Sequence, residues 1–136
     1  MSGNCIVAFD PSYLPKSGKH TPHKGKFYSG CLGRATGGIE IGGLGIIDLA
    51  HNTAFNLEAI QTPNTEELEA KGISLVDYYA QLIVDRSSQI RKISKYLAVD
   101  GYFAKSKYID KIKTKREESA IFQPNHLDGE FALCLV

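Results

Sequence analysis

The sequence contains no tryptophan, one methionine and only three cysteines, and it has no long apolar run. Cys5, Cys31 and Cys134 show no Cys-x-x-Cys spacing, and any disulfide scheme would leave one of them unpaired. We therefore expect free thiols and a cytoplasmic protein. No segment approaches the ~20 apolar residues needed to cross a bilayer, and the polar start does not resemble a signal peptide. The sequence thus predicts no membrane partner.

Acidic residues are absent between Pro11 and Ile39, although the net charge of the whole chain is only +1. This stretch has five basic residues: Lys16, Lys19, Lys24, Lys26 and Arg34. Its Gly, Pro, Ser and His content predicts a long loop. Lysines contact phosphates, and the interspersed aromatic rings can stack on bases, so the loop suits nucleic acid. The alternative is a solvated, mobile surface loop.

Two familiar ligand-binding motifs are also missing. Residues 39–49 are rich in glycine but contain no Gly-x-Gly-x-x-Gly and no following Lys-Ser/Thr, so they do not predict a phosphate cradle. A β-bulge or a close backbone approach explains these glycines better. His20 and His23 have no second ligand pair at zinc-site spacing, so DNA contact or solvation is the preferred interpretation.

The 136 residues, 43% hydrophobic and 23% charged, suit one soluble domain. Its most informative stretch is an apolar run over residues 5–9 that ends at Asp10 and Pro11, which predicts a buried strand that stops at the proline. Asp10 would then be a rigid carboxylate at the rim of a sheet, either a metal ligand or a turn-capping residue. A similar apolar segment ends at Asp100.

Between these segments, strands are predicted over 39–49 and 53–61, the latter with Phe55, Leu57 and Ala59 on one buried face. Residues 62–72 are predicted as a polar connector. A helix over 74–93 begins with a capping box of Ser74 and Asp77. Its apolar stripe is interrupted by Arg86 and predicts core packing: Leu75, Tyr79, Leu82, Ile83, Ile90 and Ile93. A short strand over 96–100 and a helix over 104–112 follow.

Three antiparallel strands, a helix, a fourth strand and a second helix are the order of an RNase H-like α/β fold. In that arrangement the fourth strand lies parallel to the first, because the crossover passes through a helix. Asp10 and Asp100 would then end neighbouring strands and converge. Two converging carboxylates bind Mg²⁺ well, and two such ions can promote phosphoryl transfer.

Several blocks of the sequence resemble DDE-superfamily transposases of bacterial insertion sequences. The blocks are residues 7–19, 28–31, 54–59 and 93–103, and the match spans roughly residues 5–112. The resemblance implies that Asp10 and Asp100 are the first two members of an Asp-Asp-Glu triad that binds Mg²⁺ or Mn²⁺. It also implies DNA cleavage and strand transfer at transposon ends, with the 16–26 segment near the DNA backbone.

The sequence also departs from this family. Only nine residues precede Asp10, where a helical DNA-binding region is expected, and the pattern is lost beyond about residue 112. Glu117, Glu118 and Glu130 do not stand in a matching context, so the catalytic glutamate is not assigned. We expect a partial catalytic domain over 1–113 and a divergent tail over 114–136, an incomplete sheet, and a fragment truncated at both ends that is inactive alone.

Two other functions are compatible with these features. A non-catalytic remnant could bind DNA through the basic residues of 16–34, associated with the nucleoid, and could compete with or join an intact transposase subunit. A small metal-dependent nuclease could instead use Asp10, Asp100 and a local glutamate.

Overall fold

The computed structural model describes residues 4–100, 122–123 and 131–135. The predicted helix over 104–112 and the candidate residues Glu117, Glu118 and Glu130 lie outside these ranges. The elements, in chain order, are β1 (Cys5–Pro15), β2 (Gly25–Ser29), β3 (Arg34–Asp48), β4 (Thr53–Gln61), α1 (Thr65–Ala70), α2 (Leu75–Ile93), β5 (Tyr96–Asp100), β6 (Phe122–Gln123) and β7 (Phe131–Leu135).

The strands form one mixed sheet, and the protein is of the α/β class. The order is β2-β3-β1-β5-β7-β6, and β4 also pairs with β3. Strands β1, β3 and β4 are consecutively antiparallel, whereas β5 is parallel to β1. The predicted meander and the parallel fourth strand are therefore confirmed. Strand β7, from the segment predicted as a divergent tail, pairs antiparallel with β5.

Helix α2 covers one face of the sheet and forms the core with it. The capping box of Ser74 and Asp77 begins the helix as predicted. Ser94 ends it, and the Ser94 hydroxyl donates to the Cys5 carbonyl at 2.6 Å, which joins this end of the helix to β1. The buried core residues alternate along the strands and recur at helical spacing along α2: Val7, Phe9, Leu44, Tyr79, Ala80, Leu82, Ile83, Ile90, Leu97 and Val99.

The sequence predicted that the first strand stops at Pro11, and this prediction was wrong. The strand continues to Pro15, and Pro11 is opposite Gly42 of β3. Among the described residues, the pairing of β1 with β5 ends at Phe9, so beyond that point β1 is paired with β3 on one side. A proline is tolerated in such an edge segment because its nitrogen, which has no proton, can face the side without a neighbour.

The segment predicted as a long loop also contains regular structure. Strand β2 and the first residues of β3 lie inside it and pair with each other, with Phe27 opposite Thr36. The connection over 16–24 is held against the body of the protein, since Gln61 donates to the Pro22 carbonyl at 2.7 Å. His23 and Glu67 are joined at 2.8 Å. The prediction of a single unstructured loop was therefore wrong.

Helix α1 was predicted as a polar connector. Asn64 accepts from the backbone N–H of Glu67, and the Glu67 carboxylate accepts from the Asn64 N–H. This reciprocal cap satisfies donors that the first turn leaves unpaired, and Leu68 is buried beneath it. The Asn-x-x-Glu spacing was visible in the sequence and would have indicated the helix.

The predicted buried face of β4 is not formed. Phe55 and Leu57 are 58% and 42% exposed. The register shifts so that Leu44 is opposite Glu58 and Gly45 is opposite Asn56, which leaves Leu57 without a partner in β3. Such a bulge changes the face to which the following side chains point, so alternation in the sequence does not correspond to one face. The β-bulge predicted for the glycine-rich stretch over 39–49 is therefore confirmed, and it lies opposite Leu44 and Gly45.

Candidate metal and nucleic-acid site

The two aspartates predicted to converge are brought together at one end of the β1–β5 pairing. Phe9 is directly opposite Val99, and Asp10 and Asp100 are the next residues of the two parallel strands. Asp10 and Asp100 line one common cavity at this end of the pairing. Asp10 and Asp100 are both exposed, so ions and phosphates can reach them. Asp100 ends β5, whereas Asp10 lies in the middle of β1.

The proximity of the two side chains changes the acidity of Asp10. Partial burial raises its pKa, and the negative charge of Asp100 raises it further. A nearby like charge disfavours ionisation of Asp10, and a cation bound beside Asp10 would relieve this repulsion. The pair therefore has the electrostatics of a cation site.

The donor set fits a hard divalent ion in part. Mg²⁺ is commonly held by one or two carboxylates, with water and phosphate oxygens completing its coordination. Asp10 and Asp100 provide such a pair. Among the described residues, no group of three His, Cys, Asp or Glu side chains is close enough to hold a metal together.

A cavity of about 630 Å³ opens beside the aspartates. Its walls come from β1, β2, β3, the region of α1 and the start of α2. Phe27, Leu75 and Tyr79 provide apolar surface, while exposed Lys26 and Glu69 provide charge. The cavity depends on α1 and on the β2 pairing, and neither was predicted.

The five basic residues predicted to contact DNA differ in their surroundings. Lys16, Lys19, Lys26 and Arg34 are exposed, and Lys26 lines the cavity beside Asp10 and Asp100. Lys24 is half-buried, and its ammonium donates to the Gly18 carbonyl at 2.8 Å within the same connection. His23, predicted to contact DNA or solvent, is instead paired with Glu67.

Glu40 is a buried acid that the sequence analysis did not single out. It is 7% exposed and lines the same cavity. The Thr62 hydroxyl donates to its Oε1 atom at 2.8 Å, and the Tyr79 hydroxyl donates to the same atom. The available signal was the position of Glu40 in β3, because strand alternation places it on the same face as Leu44 and Ile46, which are buried.

Comparisons with known proteins identify no relative: no family model, no curated protein and no solved structure matches the chain at a significant level. Neither α1 nor α2 combines the length and the apolar character that a membrane-spanning helix requires.

Proposed function

We propose that the chain is an RNase H-like catalytic domain of the DDE transposase type, which binds DNA and a divalent metal at Asp10 and Asp100. The observation that supports this proposal best is the parallel pairing of β1 and β5, which makes the two carboxylates neighbours. They lie ninety positions apart in the sequence, and each ends an apolar segment.

In this function, Asp10 and Asp100 hold the metal and thereby position a DNA phosphate at the end of β5. Bound Mg²⁺ would supply charge stabilisation at the phosphate oxygens during phosphoryl transfer. The sheet keeps the two carboxylates at a fixed separation. Lys26 lines the same cavity and offers a positive charge to the DNA backbone. With two carboxylates from the described residues, we expect weak metal binding and little or no transposition.

The test is metal binding by isothermal titration, with magnesium and manganese, on the wild type, Asp10→Asn and Asp100→Asn. Each substitution should abolish the binding signal, because a single remaining carboxylate holds a hydrated divalent ion too weakly to be detected. Glu66→Gln is the matched control, since this exposed glutamate of α1 lies outside the cavity. Unchanged metal affinity in both aspartate variants would refute the assignment.

A second candidate is a non-catalytic DNA-binding module, which is favoured by the exposure of Lys16, Lys19 and Arg34. Its affinity should fall by about 0.9 log units per log unit of salt for each phosphate neutralised. The third, a metal-dependent nuclease, predicts nicking of plasmid DNA that Asp10→Asn abolishes. No nicking at any magnesium or manganese concentration would eliminate it.

A further inference from the structure

The cavity beside the aspartates extends inward to a second polar feature, the carboxylate of Glu40. Asp10 and Asp100 line it at the end of the β1–β5 pairing, while Glu40, on β3, is buried. A ligand that occupies the cavity can therefore contact the aspartate pair with one end and Glu40 with the other.

The two oxygens of Glu40 are not equivalent. Oε1 accepts from both Thr62 and Tyr79, which uses its two lone pairs. No residue in the described part of the chain donates a hydrogen bond to Oε2. A buried carboxylate oxygen without a donor is costly, and a ligand N–H would satisfy it. Glu40 thus selects a hydrogen-bond donor and repels an anion.

The remaining walls suit a flat, partly apolar ligand. Phe27, Leu75 and Tyr79 line the cavity, together with Pro11 of β1 and Tyr28 of β2. A volume of about 630 Å³ lies within the range of cavities that hold drug-sized molecules, which includes a nucleoside. Aromatic surfaces stack on any base without regard to sequence.

The charges determine which end of a nucleotide would enter. A phosphate is repelled by buried Glu40 but can reach a metal at Asp10 and Asp100, or the ammonium of Lys26. We propose that the cavity receives one unpaired nucleobase of the DNA strand whose phosphate lies at the aspartates, with its N–H groups directed at Glu40 Oε2. This inference rests on the proposed function.

The hydrogen-bonding edge of each base predicts a preference. Guanine presents two adjacent N–H donors, from N1 and N2, and therefore suits a carboxylate oxygen best. The single N3–H of thymine lies between two carbonyl oxygens, which repel the carboxylate. We therefore expect the cavity to favour guanine and to reject thymine.

The test compares three fluorescent single-stranded oligothymidylates in magnesium by anisotropy. Each has a guanine, a thymine or an abasic residue at its centre. The guanine strand should bind about tenfold more tightly than the other two, as expected for a hydrogen bond to a charged acceptor. Equal affinities for the three strands would overturn the inference.

Two variants separate the roles of charge and space. Glu40→Gln should remove the guanine preference, whereas Glu66→Gln should retain it. Ile73→Trp fills the cavity from its wall without altering a carboxylate, and should also remove the preference. It provides a second test if Glu40→Gln does not fold, which thermal melting would reveal. A preference that persists in a folded Ile73→Trp variant would refute base entry.

Failure of the proposed function would look different. If Asp10→Asn and Asp100→Asn both leave metal affinity unchanged while the wild type still prefers guanine, the metal assignment fails and the base site stands. If metal affinity depends on Asp10 but the three strands bind alike, the base site fails alone. The base site would also be overturned if an amine such as spermidine bound more tightly than any strand at equal concentration, because the cavity would then select an amine rather than a base.

Discussion

Arg86 of α2 donates to both carboxylate oxygens of Glu58 of β4, from Nε at 2.6 Å and from Nη2 at 2.7 Å. This bidentate pair explains why an arginine interrupts the apolar stripe of the helix. The guanidinium lies at the border of the core and joins the helix to the strand that carries the bulge. The hydrogen bond from Arg86 lowers the pKa of Glu58, and the nearby positive charge adds to this effect.

Breaking this pair should reduce stability modestly. Both partners are partly exposed, so solvent screens the interaction. In a double-mutant cycle of Arg86→Met and Glu58→Gln, we expect a coupling energy of about 0.5–1 kcal/mol from denaturant unfolding. The coupling should shrink in concentrated salt. Arg91→Met, an exposed arginine on the same helix, should be nearly neutral; equal losses for Arg91→Met and Arg86→Met would contradict the prediction.

Neutralising Asp10 should stabilise the fold at neutral pH. Its pKa is raised in the folded state, so folding favours the protonated form, and the resulting stability is lost as the pH rises through the folded pKa. Asp10→Asn should therefore raise the melting temperature at pH 7 and have little effect in acid, below the usual pKa of aspartate.

Asp48→Asn is the control of opposite sign for the Asp10 experiment. The hydrogen bond from His51 lowers the pKa of Asp48, so its stabilisation is present above the usual pKa and is lost as the pH falls through the lowered one. This variant should lower the melting temperature at pH 7. A lower melting temperature for Asp10→Asn at pH 7 would contradict the prediction that burial, together with the charge of Asp100, destabilises the ionised form of Asp10.

A side chain at Gly42 should disturb the core. A Cβ atom there would lie 2.9 Å from the Phe9 ring, which is itself 1% exposed and cannot retreat easily. Gly42→Ala should cost about 1–3 kcal/mol in chemical denaturation, as expected for overpacking. At Gly37, on the same strand, a Cβ atom meets nothing within 4 Å, so Gly37→Ala should change stability by less than about 0.5 kcal/mol.

The exposed apolar residues of β4 should promote self-association. Among the described strands, β4 pairs with β3 alone, which leaves its other edge open. Unprotected edges with apolar side chains are templates for strand addition. Leu57→Lys should lower the apparent mass in light scattering at high protein concentration. Leu32→Lys, an exposed leucine in the turn between β2 and β3, should not; an equal reduction in both would indicate general solubility rather than edge pairing.

Much of this architecture was readable from local patterns. The apolar runs that end at Asp10 and Asp100 indicated the central strands, and the Ser74–Asp77 capping box located the start of α2. These signals are local because capping and alternation involve residues only a few positions apart. The parallel pairing of β1 and β5 also followed, because a helical crossover restricts the topology.

Tertiary structure alone decided the rest of the site. The buried Glu40 accepts a hydrogen bond from Tyr79, 39 residues later, and the basic connection is held by the contact of His23 with Glu67, 44 residues later. The bulge at Leu57 exists only relative to β3, so the alternation of β4 could not reveal it. Each feature depends on which distant segments come into contact, and local propensity does not encode that choice.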